Sequence, residues 1–487
     1  MSKAKEKRLT SEQAFLNQIL VGTFKIFQYI GGRLWELIKS VFDNSPKDKQ
    51  ENNTKRLTLG TIKLRDENGK TKDKEVYISI DDLFTHLLVT GQIGQGKSSL
   101  LINLAVQLID KNIKLLFLDP HGQAIRQVVK LIQQFDKVRY FSLNQKHQHL
   151  GYNPLYFLSL TTQELKDLKS RLLLAIFPEE LQSGYKVAME AKFIIESILF
   201  FHNAYYDYLL FALHIDPERA KELSLAKQIT FNDLANLDHN PRLVELLIEV
   251  LSFKGSMYYR PDLARRWLEM QSKNKFNVGM QGVIGRFEKL TSMSQGQIFF
   301  ESSGFNVLKE LRKGNTVLCD LSGLDEYTMG IVSKIIFGDV FIEHKNGIIT
   351  IPTIMIIDEA KLLNLLNLAE IIEQARKFQL GLVLACQHVG QFRNSVLEET
   401  IISTIVSKIK FRSGKGENAQ EREKLLNLEE RHFIFETTGE RLEGVRTGQY
   451  GENLRQFHPT EIGLTLEKIE ERINQKREDI YSYFLSP

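Results

Sequence analysis

The chain has 487 residues, with 64 Lys and Arg against 60 Asp and Glu, a formal net charge of +4. A composition of 43% hydrophobic and 25% charged residues is that of a folded protein and excludes wholesale disorder, and the length allows roughly three domains at about 150 residues each. So small a net charge gives no global field for a polyanion, which leaves nucleic-acid binding to local basic patches. The two cysteines, Cys319 and Cys386, lie in apolar runs and build no disulfide framework, which suits a reducing, cytoplasmic compartment.

From the start of the chain, Leu16, Leu20, Phe24, Phe27, Leu34, Ile38 and Val41 share one side of an expected helix, opposite Gln18, Lys25, Gln28, Glu36 and Lys39. Its Ala14 to Gly32 part is long enough for about 30 Å of hydrocarbon, but Asn17, Gln18, Lys25 and Gln28 interrupt it. A stable span is therefore not expected. With Lys3, Lys5, Lys7 and Arg8 ahead of it, the helix either lies on an anionic membrane surface or a partner, or packs on its own domain. Residues 45–57 are almost wholly polar and read as a linker. Leu57 to Arg65 and Val76 to Ile80 then read as strands of a small hairpin turned at Asp66-Glu67-Asn68-Gly69.

From residue 87 onward, short apolar runs alternate with helical stretches: Leu87 to Thr90, Lys114 to Leu118, Val138 to Leu143, Thr316 to Leu321, Thr353 to Ile357, Gly381 to Cys386 and Ile405 to Phe411. These are the marks of buried parallel strands in an α/β domain. Between Thr161 and about Leu290 such strands are missing, and Leu, Ile, Phe and Tyr recur at helical spacing, so this stretch reads as an all-α insertion. Its aromatic run 197–214 is assigned to packing rather than to base stacking. The expected division is an N-terminal helix (1–44), a linker (45–56), two parts of one α/β domain (57–160 and 291–460) around the insertion (161–290), and a polar helical tail (461–487).

The run Gly91-Gln92-Ile93-Gly94-Gln95-Gly96-Lys97-Ser98-Ser99 follows an apolar strand and precedes a helical stretch. That is the setting of a phosphate-binding loop. Glycines let consecutive amides turn inward, the next helix presents its positive end, Lys97 brings a point charge to the β- and γ-phosphates, and Ser98 can ligate Mg²⁺. The expected cofactors are ATP and Mg²⁺. Hydrolysis also needs an acid at the metal and a group that orients water. Asp358 and Glu359 close an apolar strand, so their side chains diverge, Asp358 to the Mg²⁺ shell and Glu359 to the water. Gln387, at the end of the next strand, is placed to sense the γ-phosphate.

The ordered segments HLLVTGQIGQGKSS, LLFLDPHGQ (115–123), TVLCDLSGL (316–324), IMIIDEAKLL (354–363), EQARKFQLGLVLACQHVGQF (373–392) and SKIKFRSG (407–414) resemble the HerA-FtsK superfamily of hexameric P-loop motors. Within it they are most similar to the coupling ATPases of type IV secretion and conjugation, the TraG/TraD type. The resemblance covers roughly residues 80–460. It implies a RecA-like P-loop NTPase with a mainly parallel central sheet, an all-α domain matching the insertion, a homo-hexameric ring, DNA as cargo and a secretion channel as partner. It also implies that Arg376 reaches a neighbour's site as an arginine finger, where a helix-surface arginine is the plainer alternative.

Coupling proteins begin with firm transmembrane helices, whereas here only the Lys25-interrupted helix stands in that place, so the expected location is cytoplasmic or peripheral at the inner face of the membrane. Asp119 and His121 can contact the metal shell or a neighbouring subunit, or Asp119 can simply cap the following helix. For sequence-independent DNA backbone contacts the candidates are Arg412 and Lys415 and, on the insertion, Arg260, Arg265, Arg266, Lys273 and Lys275.

Overall fold

The computed structural model describes residues 55–65, 70–132, 136–142, 152–157, 161–183, 185–272, 276–292, 307–363, 368–392, 395–416, 419–438 and 440–447. The expected N-terminal helix, the hairpin turn 66–69, Lys273, Lys275 and the C-terminal tail lie outside them. Among the described residues no helix is long and apolar enough to cross a membrane.

Among the described residues one sheet of eleven strands organises the fold: β1 (Arg56–Arg65), β2 (Thr71–Ser79), β3 (Leu87–Thr90), β4 (Lys114–Asp119), β5 (Val138–Ser142), β6 (Thr316–Asp320), β7 (Thr353–Ile357), β8 (Leu380–Cys386), β9 (Ser407–Phe411), β10 (His432–Thr437) and β11 (Glu440–Arg446). Their order is β2-β1-β11-β10-β9-β3-β8-β7-β4-β6-β5. From β9 to β5 every pairing is parallel, whereas β10 joins β9 and β11 joins β10 and β1 antiparallel. The seven parallel strands match the seven apolar runs. The β10–β11 hairpin was not expected, because β11 reads Glu-Arg-Leu-Glu-Gly-Val-Arg and only Val445 is buried. β2 likewise begins five residues earlier than expected, in an exposed polar stretch. Antiparallel strands with one solvated face, such as these two, carry too few apolar residues to announce themselves.

The alternation along the strands divides the sheet into two dry faces. Leu87, Val89, Leu115, Phe117, Ile354, Ile356, Val383, Ala385, Ile409 and Phe411 pack with helix α1 (Lys97–Asp110) and helix α2 (Gln123–Leu131). Leu88, Leu116, Leu118, Met355, Ile357, Leu382 and Leu384 face the other way, into a cluster that runs without a break into the helices between Thr162 and Thr291. No strand occurs among the described residues of that helical segment, and it shares its core with the sheet.

The helical segment opens on a capping box. Thr161 accepts from the Glu164 amide while the Glu164 carboxylate accepts from the Thr161 amide (2.7 Å), which satisfies amides that the first turn leaves free. Helix α3 (Thr162–Ile176) carries Arg171, fully buried against Asp339 of helix α4 (Glu326–Lys345). Gly338 makes room for it, since a Cβ there would stand 2.3 Å from Arg171 Cδ, and Tyr152 donates its hydroxyl to the same carboxylate. The aromatic run of the insertion packs as expected at Phe200, Phe201, Ala204 and Leu209, with Phe201 and Tyr205 stacked at 5.0 Å, while Phe211 and Leu213 at its end are exposed.

Candidate functional site

The register of the parallel strands assembles the site at their carboxyl ends. Thr90 pairs with Cys386, so the phosphate loop leaves β3 beside Gln387, and the Gly91 amide donates to the Gln387 carbonyl at 3.2 Å. Ile357 pairs with Leu384 and Leu118 with Ile357, which sets Asp358 and Glu359 between the tip of β8 and Asp119 at the tip of β4. Because β8 lies between β3 and β7, residues almost 300 positions apart in the chain end in one row. Ligands bind beyond the carboxyl ends of such sheets.

Local backbone chemistry shapes the loop. Gly91, Gly94 and Gly96 have φ values of 151°, 79° and 108°, a region that L side chains avoid. A Cβ on Gly91 would stand 2.5 Å from Phe411 Cβ, while one on Gly94 would meet nothing within 4 Å. So the first glycine is needed for close packing on β9, and the middle of the loop faces open space. Gly96 caps α1 with no side chain of its own, which leaves the first amides of that helix available to an anion. Lys97 is 8% exposed, and its Nζ donates to the Gly91 and Gln92 carbonyls at 2.6 and 3.0 Å. Burial holds its ammonium below the usual lysine range, against the opposing pull of Asp358 and Glu359. Lys97 and the two acids therefore share one electrostatic environment.

Asp358 is almost fully buried, and its pKa is pushed up to about 6, first by burial and then by the neighbouring Asp119 and Glu359 carboxylates, with Lys97 acting the other way. Its Oδ1 accepts from the Glu359 amide at 3.1 Å. Glu359 adopts left-handed backbone, φ 56°, uncommon for a residue with a long side chain. Its Oε2 is buried without a hydrogen bond among the described residues, and the Lys361 ammonium lies 4.0 Å away. A buried carboxylate oxygen with no donor is costly unless a ligand or water completes it.

Ser98, Ser99, Asp119, His121, Gln123, Arg126 and Asp358 line one cavity of about 460 Å³ beside the loop. A hydroxyl and two carboxylates facing a common space are the hard oxygen donors that suit Mg²⁺ with waters and phosphate in its remaining positions, and the open glycine loop and a Glu359 Oε2 that accepts no hydrogen bond among the described residues suit a triphosphate with its attacking water. The chain's own residues fit ATP and Mg²⁺. Asp119 also caps: its Oδ1 accepts from the His121 amide (2.9 Å) and its Oδ2 from the Ile125 amide (3.1 Å). Asp320, at the tip of the neighbouring β6, accepts from Tyr140 at 2.8 Å and from the Ser322 amide at 2.9 Å.

Other candidates fall elsewhere. Gln387 meets the loop through its backbone and also lines a second cavity of about 380 Å³, with Thr90, Lys408 and Lys410. Arg376 sits in a single turn of 3-10 helix rather than on the expected α-helix, exposed, at the amino end of β8. Its charge acts on His86, which precedes β3, so it stands at the opposite end of the sheet from its own phosphate loop. Arg260 pairs with Glu196 (2.5 Å) and Asp262 (2.7 Å) over the Phe200 ring, and Arg266 pairs with Glu190 (2.7 Å) over the Phe193 ring. Both arginines are used for packing, whereas Arg265 is exposed. Arg412 and Lys415 are exposed as well, but the Arg412 carbonyl accepts from the Gln92 amide at 3.0 Å, which puts this pair at the nucleotide loop. One residue escaped the sequence reading: Arg431, whose amide donates to the Gln95 carbonyl at 3.1 Å. Its only signal was an unexplained arginine before the unrecognised β10.

A similar fold is found in known proteins. The structure is similar to that of the bacterial conjugative coupling protein TrwBdeltaN70 in an unbound monoclinic form, at 15% identity over 77% of this chain and 88% of that one, with a TM-score of 0.51. It is likewise similar to the plasmid coupling protein TrwB in complex with the ATP analogue ADPNP (14% identity, 77% and 88% covered, TM-score 0.50). VirB4 of Thermoanaerobacter pseudethanolicus aligns at 11% identity over 80% of this chain and 96% of that one, with a TM-score of 0.51. At such identities the likeness establishes the mixed α/β fold. No curated protein sequence matches the chain. The model of the helicase HerA central domain matches residues 59–340, more than half of the chain and all of the phosphate loop, and the chain thus belongs to that family of P-loop ATPases.

Proposed function

We propose that this protein is an ATP-driven translocase of the type IV secretion coupling class, hydrolysing ATP between the subunits of a ring; its likeness in fold to the conjugative coupling protein TrwB supports the coupling class. The carrying observation is the row of strand tips in which Lys97, Asp358 and Glu359 share one electrostatic environment beside an open phosphate loop. The loop amides and Lys97 hold the β- and γ-phosphates, Ser98 and Asp358 hold Mg²⁺, Glu359 accepts a proton from the attacking water, and Gln387 reports the γ-phosphate through the strand tip it shares with the loop. The metal, when bound, offsets charge on the phosphate oxygens. Binding of ADPNP by TrwB supports the choice of nucleotide.

Ring assembly is supported by the place of Arg376. The seven-residue strand that follows it spans roughly 23 Å, too far for Arg376 to serve its own site, whereas an exposed arginine at a subunit edge can reach a neighbour's. Glu359→Gln should leave ATP binding intact and lower turnover by about 10²–10⁴-fold; retained turnover would remove Glu359 from the chemistry.

DNA is the cargo this reading expects, held through backbone phosphates. Steady-state ATPase measured with and without single- and double-stranded DNA tests it: stimulation that weakens steeply with salt supports a DNA motor, and robust turnover indifferent to either nucleic acid rejects it. One observation favours a second reading, a protein-export ATPase of the same family: Arg260 and Arg266 are held by the insertion's own carboxylates. Under that reading DNA leaves the rate unchanged and a secreted polypeptide raises it.

A further inference from the structure

Arg431 precedes β10 in left-handed backbone, φ 64°, a conformation unfavourable for a non-glycine residue that persists where the surroundings hold it. Its amide donates to the Gln95 carbonyl at 3.1 Å, and its carbonyl accepts from the Thr447 amide at 2.9 Å. So the residue is held between the phosphate loop and the end of β11. Its Cγ lies 3.0 Å, and its Cα 3.2 Å, from the point where a Cβ on Gly96 would stand. Any other residue at position 96 would displace this arginine.

No hydrogen bond of the guanidinium among the described residues explains this placement. Nε and Nη1 are buried and donate to no acceptor among the described residues, and the Glu430 carboxylate is 3.9 Å from Nε, beyond hydrogen-bond distance. Two further buried atoms without hydrogen bonds among the described residues belong to the residues that hold it, Gln95 Oε1 and Thr447 Oγ1. Several unsatisfied polar atoms at one loop mark a place that a polar ligand completes.

We propose that Arg431 is a nucleotide-binding residue acting in cis, donating Nε–H and Nη1–H to the phosphates that ADP and ATP share. The inference rests on the nucleotide reading above. The strand order decides which phosphates are meant. On one side of β3 lie β8 and β7, which bring Gln387, Asp358 and Glu359; on the other lie β9 and β10, which bring Arg431. The hydrolysed bond belongs to the first side. Arg431, across the loop, meets the part of the nucleotide nearer the nucleoside, in the planar two-donor geometry that suits a phosphate.

Fluorescent mant-ADP and mant-ATP titrated into the full chain, native and carrying Arg431→Gln, Arg431→Lys or Lys97→Ala, test this. Arg431→Gln should raise both dissociation constants by the same factor, about ten- to a hundredfold for a charge-assisted pair. Arg431→Lys should recover part of the loss, and the nucleotide-free melting temperature of Arg431→Gln should stay level or rise, because unpaired buried donors have been removed. Unchanged affinity for ADP, or a loss confined to ATP, overturns the proposal. So does a lower nucleotide-free melting temperature with Arg431→Lys no better than Arg431→Gln, which marks a structural role. A native chain that binds neither nucleotide refutes the nucleotide reading itself; native binding lost in Lys97→Ala but kept in Arg431→Gln refutes only the part given to Arg431.

Discussion

At the residue scale, the site sets function against stability. Asp358 has a folded pKa of about 6 against 3.8 ordinarily. A raised acid favours the folded state while protonated, so this group costs nothing below about pH 4 and destabilises the fold progressively as pH rises through 6. The difference corresponds to roughly 3 kcal/mol at 1.36 kcal/mol per pH unit. Asp358→Asn should therefore make the nucleotide-free protein more stable at pH 7.5 by up to about that amount while abolishing turnover. Melting curves at pH 4.5 and 7.5 check it: the native protein should lose more stability over that interval than the variant. Lys97 is different in kind, because its Nζ already holds the Gly91 and Gln92 carbonyls. Lys97→Ala should lose nucleotide binding altogether, measured by direct titration, and retained affinity would mean that the loop is not a phosphate loop.

At the scale of elements, the helical insertion is tied to the nucleotide-binding sheet by the buried pair of Arg171 on α3 and Asp339 on α4. Removing one member of such a pair strands the other in an apolar interior, so Arg171→Ala should cost about 3–5 kcal/mol, read by urea denaturation. Replacing both by apolar residues of similar volume should cost far less. The turn between β4 and α2 depends on Gly122 for a similar steric reason, since a Cβ there would stand 2.2 Å from Asp320 Oδ1. Gly122→Ala should displace Asp320 and with it the turn that carries Asp119 and His121 towards the cavity beside Ser98.

At the scale of the whole molecule, the phosphate loop and Arg376 lie at opposite ends of the parallel strands. If neighbours complete each other's sites, subunits carrying Lys97→Ala and subunits carrying Arg376→Ala should each be inactive alone and regain activity when mixed, because some interfaces then pair an intact Lys97 with an intact Arg376. ATPase assays on mixtures at varied ratio measure this, and activity that never rises above the sum of the two variants rules out a trans arginine.

The seven parallel strands, the glycine loop, Lys97, Ser98, Asp358 and Glu359 were legible in the amino-acid order because each is encoded locally. Buried parallel strands are continuous apolar runs, and a phosphate loop is a fixed spacing of glycines before a helix. What no local pattern carries is which strand lies beside which. Only the folded sheet, by inserting β8 between β3 and β7 and pairing β9 with β10, sets Glu359 beside the phosphate loop, spends Arg260 and Arg266 on internal carboxylates, and lays Arg431 against Gly96. Those contacts join residues tens to hundreds of positions apart. They are decided by the register of hydrogen-bonded strands and by buried charge seeking partners, quantities that exist only once the chain is folded.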